Sequence, residues 1–286
     1  NIQPLVDRKG RFFRLKDMDP DFVKKNVNLD TYGEFEGKFV KNEYDNTKSE
    51  KDPTIDVDIA VTLKLENKAF RIEKHVHNYP HCWRTDKPVL YYPRDSWFVR
   101  TTALKERMSE LNNPINWRPA STGTGRFGKW LENLVDWNLS RARFWGTPLP
   151  IWVTEDKKEK ICIGSVEELK HEVDKAVDAG FMNANPLAEF EAGNNSEENY
   201  EIFDLHRPFV DELILVSKSG QKMYREPVLI DVWFDSGSMP YAQYHYPFEH
   251  KEDFDQLFPA DFIAEGVDQT RGLFFTLHAI ATMLFD

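Results

Sequence analysis

Cysteine is scarce in this sequence, with two in 286 residues, Cys82 and Cys162. Two distant thiols make no disulfide framework and suit a reducing cytoplasm, where we expect the protein to reside. No run of 18 apolar residues occurs, so no membrane span is expected. No signal peptide is expected from Asn1-Ile2-Gln3-Pro4, which has neither a charged start nor an apolar core. Excess positive charge is also missing. The net charge of -11 argues against a protein that coats nucleic acid along its whole surface. Hydrophobic residues make up 41%, enough for a real core and for two domains or one domain with insertions. The first residue is not Met and the last apolar run reaches Phe285, so the chain reads as a segment excised from a longer protein.

The charge that is present is uneven. Arg118, Arg126, Lys129, Arg141 and Arg143 crowd one stretch against Glu132 and Asp136, whereas acids outnumber bases between Ile151 and Ile202. A local basic patch can hold phosphates on an acidic protein. Arg141 and Arg143 stand near Trp145 and Trp152, and arginine among aromatics suits phosphate contact and base stacking. Aromatic stripes also build cores, and Trp145 is expected there.

Taken in order, Pro4 to Phe12 reads as a strand and turn, and Tyr32, Gly33, Phe35, Gly37 and Phe39 as a second short pair. Asp52-Pro53 signals a helix start, and Ile55, Ile59, Thr62, Leu63 and Glu66 fit that helix, while Ile55, Val57, Ile59, Val61 and Leu63 also alternate as in a strand. Phe70 to Val76 reads as a strand returning to the core. His75, His77, His81 and Cys82 invite a metal but are expected to be packing or surface groups. Asp95 or Ser96 is expected to cap a helix presenting Trp97, Phe98, Thr101, Leu104, Met108 and Leu111. Thr122-Gly123-Thr124-Gly125 lacks a P-loop lysine and reads as a tight entry turn into a helix carrying Phe127, Trp130, Leu131, Leu134 and Val135. A further helix is expected over 166–179. Lys218 to Met223 reads as a hairpin turn, and Val228 to Phe234 as a buried strand.

The most telling stretch is the last. Phe262 to Ala264 reads as a buried strand, Glu265-Gly266 as the turn at its carboxyl end, and Asp268 as the cap of a helix starting at Gln269. Leu273, Phe274, Leu277, Ile280, Ala281 and Leu284 mark that helix's apolar face. Ligands of open α/β sheets bind at such strand ends, and a carboxylate there suits ribose hydroxyls.

Glu265-Gly266-Val267-Asp268-Gln269-Thr270-Arg271-Gly272 closely resembles a signature of the isoleucyl-tRNA synthetases, a class I family. Asp231 to Ser238 (Asp-Val-Trp-Phe-Asp-Ser-Gly-Ser) resembles a second. Trp137 to Pro150, containing Ser140-Arg141-Ala142-Arg143, resembles a third that valyl and leucyl enzymes share in outline. The resemblance implies an α/β protein, part of a class I Rossmann-like nucleotide-binding domain with inserted connective and editing-domain segments of α+β, β-rich character. It implies the end of the editing domain over 1–88, return into the catalytic domain over 89–150, a second, acidic insertion over 151–228, and the second half of the catalytic domain over 229–286. The implied parent joins isoleucine to tRNA(Ile) with ATP and Mg²⁺, edits mischarged valine and is expected to be a monomer.

Carried over by motif, Glu265, Gly266, Asp268 and Gln269 would bind the adenylate. Trp233, Gln269 and Leu273 would border the amino acid, and Arg141 and Arg143 would contact tRNA. The family usually has Trp where Leu273 stands. Many members carry Cys-Trp-Arg-Cys as half of a zinc site where this chain has Cys82-Trp83-Arg84-Thr85, and Cys162 lacks the second pair other relatives use. No zinc is therefore expected. Neither a His-x-Gly-His motif nor a Lys-Met-Ser-Lys-Ser loop after Gln269 occurs, so this stretch alone should be inactive. A valyl or leucyl enzyme, or a non-catalytic RNA- or protein-binding module, are the other readings.

Overall fold

The computed structural model describes residues 3–49 and 51–285. The chain divides into two compact units, residues 1–95 and 96–286.

The first unit is sparse in regular structure. Its helices are α1 (Pro20–Asn26), α2 (Leu29–Gly33) and α3 (Ile55–Leu65). Asp19 caps α1, accepting from the Phe22 amide at 2.7 Å, with Pro20 fixing the first turn. The buried Tyr32 donates to the carbonyls of Leu5 and Phe13 and packs on Phe12, so one phenol ties three segments. Of the expected pair around Tyr32 to Phe39 there remains one bridge, Arg11 to Phe39, because Asn28 caps α2 and draws Tyr32 and Gly33 into a helical turn. The helix expected after Pro53 forms as α3. Its cap position is Thr54, while Asp52 binds back to the Ser49 amide. Phe70 to Val76 is not a strand: it pairs with no described strand, and Phe70 and Val76 lie on the surface.

The second unit holds two hydrophobic cores. Phe98–Val99 (β1) is followed by a 3₁₀ turn and then α4 (Lys105–Asn112), where one helix from residue 95 was expected. The reason is tertiary. β1 pairs with β2 (Trp137–Asn138), and the Leu139 amide bonds the Trp97 carbonyl, which removes 97–99 from the helix. Thr122–Phe127 forms a π-helical stretch running straight into α5 (Gly128–Glu132), so the glycine-rich segment is helix and not an entry turn. Gly123 permits this, since a β-carbon there would lie 2.2 Å from the Trp117 ring.

β3 (Ser140–Arg141) then leads to a lobe with its own core. β4 (Ile151–Thr154) and β5 (Lys160–Cys162) begin its sheet. α6 (Val166–Asp178) forms as expected, capped by Ser165, and is followed by the short α7 (Glu197–Tyr200). β6 (Leu215–Val216) and β7 (Lys222–Arg225) form the expected hairpin, turning at Gly220 with φ +78°. The sheet runs β5-β4-β7-β6, antiparallel throughout, and Trp152, Leu169, Val173, Leu213 and Met223 pack beneath it.

β8 (Leu229–Ile230) pairs antiparallel with β3 and brings the chain back from the lobe. The strand expected over 228–234 ends there. Asp231 accepts from the Trp233 amide and starts α8 (Val232–Ala242), so Trp233 lies in a helix's first turn. α9 (Phe254–Leu257) and α10 (Leu273–Phe285) complete the unit. α8 and α10 cross closely at Gly237, where a β-carbon would sit 2.9 Å from Thr276. Met108, Phe127, Leu131, Trp137, Phe275 and Ile280 form this second core.

Candidate functional site

The turn between Gly266 and Leu273 differs in detail from the expected cap. Residues Val267–Arg271 form a 3₁₀ turn, and α10 begins only at Leu273. Asp268 therefore does not cap that helix. Its carboxylate accepts from the Gln269 side-chain amide at 3.1 Å, and the Gln269 carbonyl oxygen in turn accepts from the Leu273 amide at 3.4 Å. Gln269 thus provides the capping group assigned to Asp268. A β-carbon on Gly266 would fall 2.6 Å from Asp268 Oδ1, so a side chain there would make that exposed carboxylate turn aside. Thr270, fully buried, donates to the Val267 carbonyl at 2.7 Å and accepts from Arg126 Nε at 2.9 Å.

Phe262 to Ala264 is not a buried strand. It pairs with no described strand, and Phe262 is 83% and Ile263 48% exposed. With Glu265 and Val267 it edges a cavity of about 990 Å³ whose floor includes Trp117, Phe127, Phe274, Leu277 and His278. His278 bonds the Met108 carbonyl at 2.7 Å through Nε2, and burial pulls its pKa down. It is therefore a neutral core donor.

Gly272 brings the separate motifs together. A β-carbon on it would lie 2.8 Å from Trp233 Cη2 and 3.0 Å from Gln269 Oε1. The indole of Trp233, on α8, and the side chain of Gln269 therefore meet over the bare backbone that precedes Leu273. Trp233 is 38% exposed and Leu273 half-buried, so both present surface to solvent at this point. Glu265, Gly266 and Asp268 lie exposed along the adjoining turn. Gly272 was missed as a site residue. Its signal was its place between Arg271 and Leu273, where a helix start needs no glycine.

A second polar cluster stands at the neck of the lobe. Asp231 accepts from Trp137 Nε1 at 3.0 Å and from Arg141 Nη2 at 2.7 Å, while Arg141 Nη1 bonds the carbonyls of Asn138 and Ser140. Asp235, one turn along α8, has its pKa pushed up by burial, countered by the Thr147 hydroxyl. Arg143 is exposed and has no ion pair among the described residues. Trp145 is not core: it is 69% exposed and stacks on His206 with rings 4.7 Å apart. His75, His77 and His81 are exposed, the first two stacked on each other. Among the described residues, no three or more His, Cys, Asp or Glu side chains are grouped to hold a metal, and no helix is long and apolar enough to cross a membrane.

The sequence pattern of the tRNA synthetases class I (I, L, M and V) matches residues 17–286. The chain belongs to that family. A class I synthetase segment of mixed helices and sheets accounts for both cores of the second unit. Among relatives, isoleucine--tRNA ligase of Bacteroides fragilis (strain YCH46) is 65% identical over 100% of this chain and 25% of its own length. The protein of that name from Porphyromonas gingivalis (strain W83) is 66% identical over 99% of this chain and 25% of its own. That of Clostridium acetobutylicum is 50% identical over 88% of this chain and 22% of its own. This synthetase segment thus spans about a quarter of the relatives it matches.

Proposed function

We propose that the whole protein carrying this segment is an isoleucine–tRNA ligase. The observation that carries the reading is the meeting of Trp233, Gln269 and Leu273 around Gly272, which joins two separate sequence signatures into one surface. The names of its relatives favour isoleucine over valine or leucine.

Isoleucine's carboxylate attacks the α-phosphorus of ATP, giving isoleucyl-adenylate and releasing pyrophosphate. The terminal ribose hydroxyl of tRNA(Ile) then attacks the carbonyl of the adenylate and takes the acyl group, releasing AMP. Such chemistry depends chiefly on positioning and charge stabilisation. Glu265 and Asp268 offer exposed acceptors for ribose hydroxyls, and Gly266 keeps the turn open beside them. Gln269 is the hydrogen-bonding group for the aminoacyl moiety, with Trp233 and Leu273 flanking the side chain. These acceptors fit a ribose. Mg²⁺ accompanies the phosphates of ATP, and no cluster of described residues competes for it. Arg143, with Arg141 behind it, faces the tRNA. The surrounding domain is Rossmann-like and its sheet includes strands from elsewhere in the whole protein, which acts as a cytoplasmic monomer.

Editing follows from the substrate. One methylene in an apolar pocket is worth roughly 1–3 kcal/mol, and isoleucine against valine is the standard illustration of that limit. This segment by itself lacks the phosphate-binding motifs and activates nothing. The test is aminoacylation of tRNA by the full-length protein. Charging with isoleucine supports the reading, and charging with valine or leucine in its place overturns it.

A further inference from the structure

The lobe between Arg141 and Leu229 has a core of its own, and β3 and β8 lead into and out of it. β3 pairs with β8, with Ser140 opposite Ile230 and Arg141 opposite Leu229. Pro148 bridges Leu229, and the Ile230 amide bonds the Thr147 carbonyl. Both strands deliver a charged residue to one point. β3 delivers Arg141, and the residue after β8 is Asp231.

Their ion pair is anchored on both sides. The Asp231 side chain is 5% exposed and takes two donors on Oδ2, Arg141 Nη2 at 2.7 Å and Trp137 Nε1 at 3.0 Å. Its Oδ1 takes the Trp233 amide at 3.4 Å, and its backbone amide bonds the Leu139 carbonyl at 2.7 Å. Arg141 holds its guanidinium in place by donating through Nη1 to the carbonyls of Asn138 and Ser140. A fork of this kind fixes direction as well as distance, which a lysine's single ammonium does not.

Asp231 lies two residues before Trp233, whose ring rests against Gly272 and Gln269. The first turn of α8 has no other side-chain cap. One carboxylate thus links Arg141 to the turn that carries the indole.

We propose that Arg141 and Asp231 form a positioning pair that holds Trp233 over Gly272, so that the attachment of the lobe sets the shape of the isoleucine pocket. In this role the pair acts on the amino-acid pocket through Trp233 and not by contact with isoleucine or ATP. It acts by fixing the start of α8, and its loss loosens one wall of the pocket while the turn at Glu265–Asp268 stays in place. Amino-acid binding should suffer and ATP binding should not. This inference rests on the isoleucine-activating function proposed above.

The test is isoleucine-dependent pyrophosphate exchange by the full-length enzyme carrying Arg141→Ala, Arg141→Lys, Asp231→Asn or both Arg141→Ala and Asp231→Asn. Asp231→Asn keeps the side chain's shape and serves where Arg141→Ala folds poorly. The expected result is a KM for isoleucine raised about tenfold in Arg141→Ala and Asp231→Asn, with KM for ATP within about twofold. Arg141→Lys should recover part of the loss, and the double variant should be little worse than either single one, as for groups acting through one contact. An unchanged KM for isoleucine in folded variants, or KM values for both substrates rising together, would overturn the inference. A wild-type enzyme that does not respond to isoleucine at all would instead overturn the functional reading beneath it.

Discussion

The Trp233 indole lies so close to Gly272 that a β-carbon there would stand 2.8 Å from its Cη2 atom. Replacing Gly272 with Ala must push the indole or the Gln269 side chain aside. Overpacking of this sort costs about 1–3 kcal/mol. In the full-length enzyme, Gly272→Ala should raise the KM for isoleucine about tenfold or more. Steady-state exchange kinetics check this, and an unaltered KM would remove Gly272 from the pocket.

Asp268 and Gln269 form a chain of contacts on the turn, ending at the Leu273 amide. A hydrogen bond to a charged or polarised group is worth about 1.5–3 kcal/mol. Alanine at either position should therefore slow adenylate formation at least about tenfold with the fold intact. Gln269→Ala also removes the capping contact to α10 and should lower stability by about 0.5–2 kcal/mol, read by urea unfolding. Wild-type exchange rates in both variants would refute the assigned roles.

Leu273 opens α10 half-buried beside that turn. Leu273→Trp should narrow the pocket and change isoleucine affinity, with an effect of about 1–3 kcal/mol. Equilibrium binding of isoleucine and valine measures it. Identical affinities in the variant would show that position 273 turns away from the amino acid.

Arg225 in the lobe is buried, its side chain 1% exposed, and donates through Nε to Asp211 at 2.6 Å and through Nη1 to the carbonyls of Leu149 and Val228. Asp211 also takes Arg207 at 2.7 Å. Removing one partner of a buried pair strands the other charge, at a cost of about 3–5 kcal/mol. Asp211→Ala should destabilise the lobe on that scale in chemical denaturation, and a loss below about 1 kcal/mol would show that Arg225 is held by the carbonyls alone.

His278 has its pKa lowered from 6.5 by burial, countered by its bond to Met108. In this case the unfolded chain binds the proton more readily than the folded one. The stability this histidine supplies is present above pH 6.5 and is lost as pH falls through its folded value. Unfolding of the chain at descending pH should show that loss, and His278→Gln should reduce the slope. An identical slope in the variant would assign the effect to other groups.

The sequence was most legible where one local signal decided the structure. The helix expected over 166–179 forms behind its Ser165 cap, and the hairpin turn expected over Lys218 to Met223 forms at Gly220. It was least legible where pairing partners decide. Trp97 to Leu111 carries a helical stripe, yet its first residues join Trp137–Asn138 in a ladder that no local pattern reveals. Phe262 to Ala264 has the composition of a strand, but a strand exists only beside another. At the site, Glu265, Gly266, Asp268, Gln269 and Trp233 were singled out by the resemblance of their motifs, since spacing alone suggested an ordinary turn. Their true hydrogen bonds were not, because whether Asp268 or Gln269 caps α10 depends on where the 3₁₀ turn ends.

The most direct test of the account compares wild-type full-length protein with Trp233→Ala in ATP–pyrophosphate exchange driven by isoleucine, valine or leucine. The account predicts strong exchange with isoleucine, weaker exchange with valine, and a KM for isoleucine raised about tenfold or more in the variant. Exchange driven best by valine or leucine, or a Trp233→Ala enzyme with the wild-type KM, would contradict it.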